Sequence, residues 1–418
     1  MSLEVRSVQA DELVQFIDAL STGFLDRPNV EAVAGEVSQH WDLTRAWAAF
    51  DDGRICGTFR TWAGKLTVPG CRDVPASAVT GVTVLPTHRR RGVLSRMVRA
   101  GHAGARERGE IVSMLFASEF PIYGRFGYGP ATTWTSWTLR TKQSSFLRAA
   151  EDPGRISILP TDESALEICH AIYEAVRLRR PGEVWRRPIT WKDDFGLSAD
   201  VWGQKWKGFV AVHHDASGTP DGFVRYHTED KWDDRQPANK LFVDDLQAVT
   251  DDVEAALWRF LASIDWVATI RAERRSPDEQ LPWLLTNLRA TTADDIGDGL
   301  WLKLLDVPAA LEARRYEQAG SVVLEVIDGD GADPYGNRIE ERIRVALDAG
   351  PDGVTATATD RSPDLTIASG ALGAAYLGGT RLSRAVLQAG FEEHRPGALD
   401  LADALLKTRD APWCSSFF

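Results

Sequence analysis

Apolar residues recur along the chain at two periods, and each change of period marks an element. Residues 5–8 read as a first strand. Residues 10–20 carry apolar side chains at 13, 14, 17 and 20, the spacing of one helix face. The loop GFLDRP at 23–28 separates this helix from a second one running from Val30 towards Trp41. Residues 45–51 and 54–66 alternate around Asp51-Asp52-Gly53, which predicts a hairpin. A turn at Val68-Pro69-Gly70 leads to 78–84, a β-branched apolar run that reads as a buried strand. Arg89, Arg90, Arg91 and Gly92 then open a helical run with apolar residues at 93, 94, 97 and 98. A buried strand at 111–117, a glycine- and aromatic-rich stretch at 118–130 and an alternating strand at 132–140 complete a mixed α/β sandwich through about residue 145.

Residues 145–162 read as a connector. Beyond it, 163–177 and 251–265 have helical spacing, and strand runs at 208–214 and 222–228 flank a Ser217-Gly218 turn. Residues 241–261 repeat the strand–turn–helix layout of the basic stretch, with aspartates in place of the arginines and no glycine before the helix. Such a turn repels phosphate. From Gly299 the pattern changes again, to LWLKLLDVPAALEARRY, then to strand candidates at 322–327, 341–347 and 354–359. Helical segments at 369–377, 382–389 and 398–407 follow, giving an α+β unit with no catalytic constellation of its own. The expected division is 1–145, 146–297 and 298–418.

Composition narrows the function class. A chain of 418 residues with 44% hydrophobic and 26% charged residues is an ordinary globular protein of two to four domains. Its net charge of −12 argues against nucleic-acid partners and is compatible with cationic ones. The four cysteines show no paired spacing, and the eight histidines include one adjacent pair, His213-His214, but no H-x-x-x-H, so no metal is expected. With no apolar signal core and no run of 18 apolar residues, the cytoplasm is the default expectation, without a membrane partner. Fifteen tryptophans are compatible with core, subunit contacts and cleft walls.

The basic turn carries the chemistry. Free N–H groups and the dipole at a helix N-terminus favour an anion, glycine lets a ligand approach the backbone, and clustered arginines suit a pyrophosphate. Arginine, two residues and glycine after a strand resemble the acetyl-CoA pyrophosphate loop of the GCN5-related N-acetyltransferases (GNATs). The wording VTVLPTHRRRGVLSRM is similar to one branch, the Eis (enhanced intracellular survival) family. Leu94 stands where the superfamily has a small residue. The resemblance covers essentially the whole chain and is strongest at 79–131 and at the C-terminus. It implies tandem GNAT domains, the second with a degenerate cofactor site, followed by a domain like sterol carrier protein. It also implies acetyl-CoA as co-substrate, a homohexamer, and transfer to primary amines of aminoglycosides or similar polyamines, with protein lysines as further acceptors.

By that resemblance, pantetheine lies between strands splaying apart at 81–84 and 114–118. Val82, Thr83 and Val84 make backbone cofactor contacts, and an N–H there meets the acetyl oxygen on which charge grows. Arg90, Arg91, Gly92, Val93, Leu94 and Ser95 cover the pyrophosphate, while Ser118 and Glu119 lie along the pantetheine arm. An acid for the departing thiolate must be a phenol near the second splayed strand. Tyr123 and Tyr128 compete; Tyr123 occupies the family's acid position, and Tyr128 packs under the glycine turn. No histidine is suited to act as base, and His88 reads as a turn residue. The family's base is its C-terminal carboxylate, here that of Phe418, and the aromatic ending after Trp413 predicts a buried tail. Asp26 matches an acidic pocket residue and Trp41 a pocket wall. Phe417 stands where family members with a strongly acidic pocket have glutamate, which weakens attraction for a polycation. The other class of reading is a lipid or hydrophobic-ligand carrier with a vestigial acetyltransferase half.

Overall fold

The computed structural model describes residues 3–147, 154–198, 205–332 and 338–418. Among the described residues, three large sheets and a two-stranded ribbon, Trp232–Asp233 with Gln236–Pro237, carry the fold. The first begins with β1 (Glu4–Ser7), after which α1 (Leu13–Gly23) and α2 (Val30–Val37) pack their apolar faces on it. β2 (Ala46–Asp51) and β3 (Arg54–Val68) form the expected hairpin, with Asp52 and Gly53 both at positive φ in its turn. β4 (Arg72–Val84) runs antiparallel to β3, α3 (Val93–Glu107) follows the basic turn, and β5 (Val112–Phe116) pairs parallel with β4.

Two strands exchange between sheets. Strand Thr133–Arg140 forms where expected, yet it joins the second sheet, between Thr291–Asp298 and Val267–Arg275. In return, Leu300–Leu304 pairs with β5 and with Gly129–Pro130, closing the first sheet. Both strands therefore cross the expected divisions near 145 and 297. The remaining second-sheet strands are Asn239–Ala248, Pro220–Glu229, Phe209–His214 and Arg155–Leu159. The last of these lies inside the expected connector, of which 148–153 fall outside the described residues.

The third sheet, led by Gly320–Ala332 and Arg338–Gly350, shares one apolar core with the first. Its helix Ser369–Ala375 lies directly on strand Leu300–Leu304: a side chain at Gly373 would meet the Leu302 carbonyl at 2.2 Å. Only the missing Cβ allows that approach. A buried ion pair reinforces the joint, Lys303 with Asp328, and Arg106 of α3 lies 3.6 Å from the same carboxylate. Asp328→Ala removes the acid that Lys303 faces, and a loss of about 3–5 kcal/mol of stability is expected. Chemical denaturation checks this, and an unchanged midpoint means the joint does not depend on the pair.

Candidate active site

β4 and β5 pair only from Ala76↔Val112 to Ala78↔Met114, and then diverge. On its other edge β4 carries a bulge, where the register with β3 shifts between Thr58 and Arg60. Gly81 takes φ +62°, and the Thr58 hydroxyl donates to its carbonyl at 2.9 Å. A bulge interrupts the ladder and re-aims the backbone of the bulged strand. Between the diverging strands a cleft of about 640 Å³ opens.

The basic turn closes one end of this cleft. Gly92 is the N-cap of α3 at φ +75°, Arg90 also stands at positive φ, and no side chain caps the helix. The first-turn N–H groups of a 15-residue helix thus keep no side-chain acceptor, which is the condition for anion binding. A side chain at Gly92 would meet nothing within 4 Å, so its requirement is conformational. Gly92→Val is expected to cost about 1–2 kcal/mol of stability through backbone strain and to weaken coenzyme A binding, both read by thermal unfolding with and without the ligand. The helix Asp251–Ala262 of the second sheet differs: Thr250 caps it, and Asp251, Asp252 and Glu254 fill its first turn.

Most residues expected at a cofactor line this cleft. They are Val82, Thr83 and Val84 on β4, Arg90, Gly92, Val93, Leu94 and Ser95 at the turn, and Ser118 and Glu119 beyond β5. Arg91 does not. Its guanidinium donates to Asp51 at 3.0 Å, and His88 contacts the same carboxylate at 3.1 Å. Arg91 therefore fastens the loop to the β2–β3 turn. Tyr123, Phe417 and Phe418 line the cleft too. Phe24, Ile122 and Arg125 also border it, and periodicity gave them no separate signal.

Tyr123 ends the short helix Phe120–Tyr123 and is 9% exposed. Burial, and then the Glu119 charge, pushes its phenol up to about 12. Its hydroxyl makes no hydrogen bond to another described residue. The Tyr128 hydroxyl is instead engaged, 2.6 Å from the Ser113 hydroxyl and 2.9 Å from His102 Nε2. The two rings meet edge to face at 6.0 Å.

The C-terminal tail reaches this cleft through the second sheet. Strands Asn239–Ala248 and Val267–Arg275 pair in parallel as far as Val243↔Ala272 and then part as β4 and β5 do. A second cleft of about 580 Å³ opens there, and Ser415, Ser416 and Phe417 line it. Trp413 is anchored through its indole to the Arg274 carbonyl at 2.8 Å. The Arg186 guanidinium donates to both serine hydroxyls at 2.8 Å, and the Ser415 hydroxyl donates to buried Glu183 at 3.0 Å. Phe418 packs on Trp62 and Phe116, both at 5.1 Å. The tail is only partly buried, as Phe417 keeps 58% of its surface exposed under the Arg274 guanidinium.

Asp26 and Trp41 are not in the lining of either cleft. Asp26 is exposed, its carboxylate taken by the Arg27 backbone N–H at 2.7 Å, and it does not border either cleft. An acidic residue in a loop after a helix carries no sequence mark of the direction it faces. Trp41 packs on Phe16 and beneath the Arg60 guanidinium.

Comparison with known proteins agrees with this architecture. Acetyltransferase (GNAT) domain profiles match residues 4–131 and 177–299, and a sterol carrier protein domain profile matches 307–415. The chain is thus an acetyltransferase of tandem GNAT domains with a sterol-carrier-like C-terminal domain. It is 42% identical over the full length of both chains to an uncharacterized N-acetyltransferase of Streptomyces griseus. It is 36% identical over 326 residues to N-acetyltransferase Eis of Mycobacterium tuberculosis, covering 76% of this chain and 75% of that one. The crystal structure of Eis1 from Mycobacterium abscessus superposes over the whole of both chains with a TM-score of 0.84 at 32% identity. The chain belongs to the Eis family of N-acetyltransferases. Among the described residues, no helix is long and apolar enough to cross a membrane.

Proposed function

We propose that this protein transfers acetyl from acetyl-CoA to primary amines, of aminoglycosides or similar polyamines and of protein lysines, with Tyr123 as acid and the Phe418 carboxylate as base. One observation carries the reading: the open start of α3, the β4–β5 splay, Tyr123 and Phe418 border a single cleft. The residues fit the co-substrate. The uncapped helix start with Arg90 suits a pyrophosphate, and the diverging strands offer unladdered backbone to the amides of pantetheine. When bound, acetyl-CoA supplies the acetyl group as a thioester. A backbone N–H at Val82 to Val84 would meet the charge that grows on the acyl oxygen. The Phe418 carboxylate accepts the ammonium proton, and Tyr123, protonated at neutral pH, donates to the departing sulfur. The same reading includes a homohexameric assembly in the cytoplasm, and light scattering that gives a monomer at micromolar concentration removes the hexamer.

Release of coenzyme A thiol from acetyl-CoA, with a native C-terminus and a panel of aminoglycosides, polyamines and lysine peptides, tests the reading. Release with any amine supports it. Silence across the panel, together with no thermal stabilisation by coenzyme A, turns the reading to a carrier of hydrophobic ligands, since a ligand that binds the native state raises apparent stability.

A further inference from the structure

Arg60 and Arg187 are cations to which the catalytic reading gives no work. Arg60 stands on β3 at the end of the bulge, opposite Thr80, with its Cβ 3.9 Å from where a Gly81 side chain would begin. Its guanidinium lies 4.0 Å from the centre of the Trp41 ring. Arg187 lies 4.8 Å over Trp62, and Trp62 packs edge to face on Phe418. The pair thus sits between the bulge that shapes the cofactor cleft and the terminal residue.

Neither guanidinium forms an ion pair or a hydrogen bond with another described residue, and Arg187 Nε is buried without a partner. Their surroundings are positive. Burial, and then the Arg187 charge, pushes Arg60 down to about 9. Burial and the same arginine lower His40, which Glu36 and Asp193 only partly offset. Asp193 acts on Arg187 as well, but from an exposed position and without direct contact. Both arginines lie outside the lining of the cofactor cleft and keep part of their surface accessible.

A buried guanidinium without a counter-ion is costly, and a second cation beside it adds repulsion. Elsewhere buried arginines have acceptors: Arg186 meets Asp245 at 2.5 Å, Arg275 meets Glu279 at 2.7 Å, and Arg314 donates to the Tyr376 and Leu406 carbonyls. A tryptophan face beneath each guanidinium holds the plane, and its edge of N–H donors meets no acceptor among the described residues. That edge matches carboxylate and phosphate oxygens. We propose that Arg60 and Arg187 form an anion-recognition pair that selects acceptors carrying a carboxylate or phosphate on the same molecule as the reacting amine. This rests on the acetyltransferase reading and moves the preferred acceptor from a pure polycation to an amine with an attached anion.

Two measurements test it. With coenzyme A saturating, so that the basic turn is occupied, inorganic phosphate is titrated and thermal unfolding followed. The native protein is expected to gain about 2–4 °C, and Arg60→Met and Arg187→Met to lose that gain. In the thiol-release assay, kcat/KM for 5-aminovalerate is expected to exceed that for pentylamine by about tenfold to a hundredfold, the worth of a charged hydrogen bond, and either variant to collapse the ratio. If Arg60→Met fails to fold, Arg187→Met and the native protein decide. A native protein indifferent to phosphate and to the carboxylate, or responses that survive in both variants, overturns the proposal. Release with pentylamine and no preference for 5-aminovalerate leaves acetyl transfer standing and removes the anion pair. A phosphate response without release from any amine keeps the pair and removes acetyl transfer.

Discussion

Tyr123→Phe is expected to keep coenzyme A binding and to lower kcat by about 10²–10⁴-fold, the usual contribution of a positioned acid. The ring is packed in a buried cluster while its hydroxyl makes no hydrogen bond to another described residue, so removing one oxygen leaves the packing intact. The group is not held by a competing acceptor, which is what distinguishes it from Tyr128. There Ser113 and His102 occupy the hydroxyl, and Tyr128→Phe is expected to cost about 1 kcal/mol of stability and leave the pH–rate profile unchanged. Because burial holds the Tyr123 phenol near 12, it stays protonated across the physiological range, and no alkaline fall in rate belongs to it below about pH 11. Full turnover by Tyr123→Phe eliminates it as the acid. A loss confined to Tyr128→Phe transfers the role to that residue.

The elements legible in the sequence were those whose period and ends both speak. Helix Glu163–Arg177 has its expected bounds because Asp162 supplies an N-cap to Ala165 and an apolar face follows. Strand Val267–Arg275 gives no such signal, since VATIRAERR mixes apolar positions with arginines. Arg275 is buried only because Glu254 and Glu279 meet it, and those partners are visible only once the chain is folded. Sheet membership is harder still. Alternation marks 133–140 as a strand but says nothing about which edge accepts it, so the exchange with Leu300–Leu304 is a tertiary decision. The same limit governs the site. The basic turn is local and reads directly from RRRG, whereas Arg91 leaves the cleft for Asp51 some 40 residues away. Arg60 and Arg187 look like ordinary surface cations in the sequence. They become a feature only because, among the described residues, no carboxylate meets them.

Extending the C-terminus by a tag, or deleting Phe418, is expected to abolish transfer while coenzyme A still stabilises the fold. The two changes act differently on one group. A tag converts the terminal carboxylate into a neutral amide at the same place. Deletion keeps a carboxylate but draws it back by one residue, about 3.3–3.6 Å of chain. The tail cannot follow to compensate, because Trp413 is fastened to the Arg274 carbonyl and the serines to Arg186 and Glu183. Removing the terminal ring also leaves Trp62 and Phe116 without their common neighbour. Phe418→Leu separates these effects, since it retains an apolar side chain and the carboxylate in register. It is expected to recover most of the turnover that deletion loses. Retention of full rate and an unchanged pH–rate profile in the tagged protein shows that another group takes the proton. Loss in Phe418→Leu as deep as in the deletion assigns the terminal residue to packing, and the base must then be sought among the carboxylates of the second cleft.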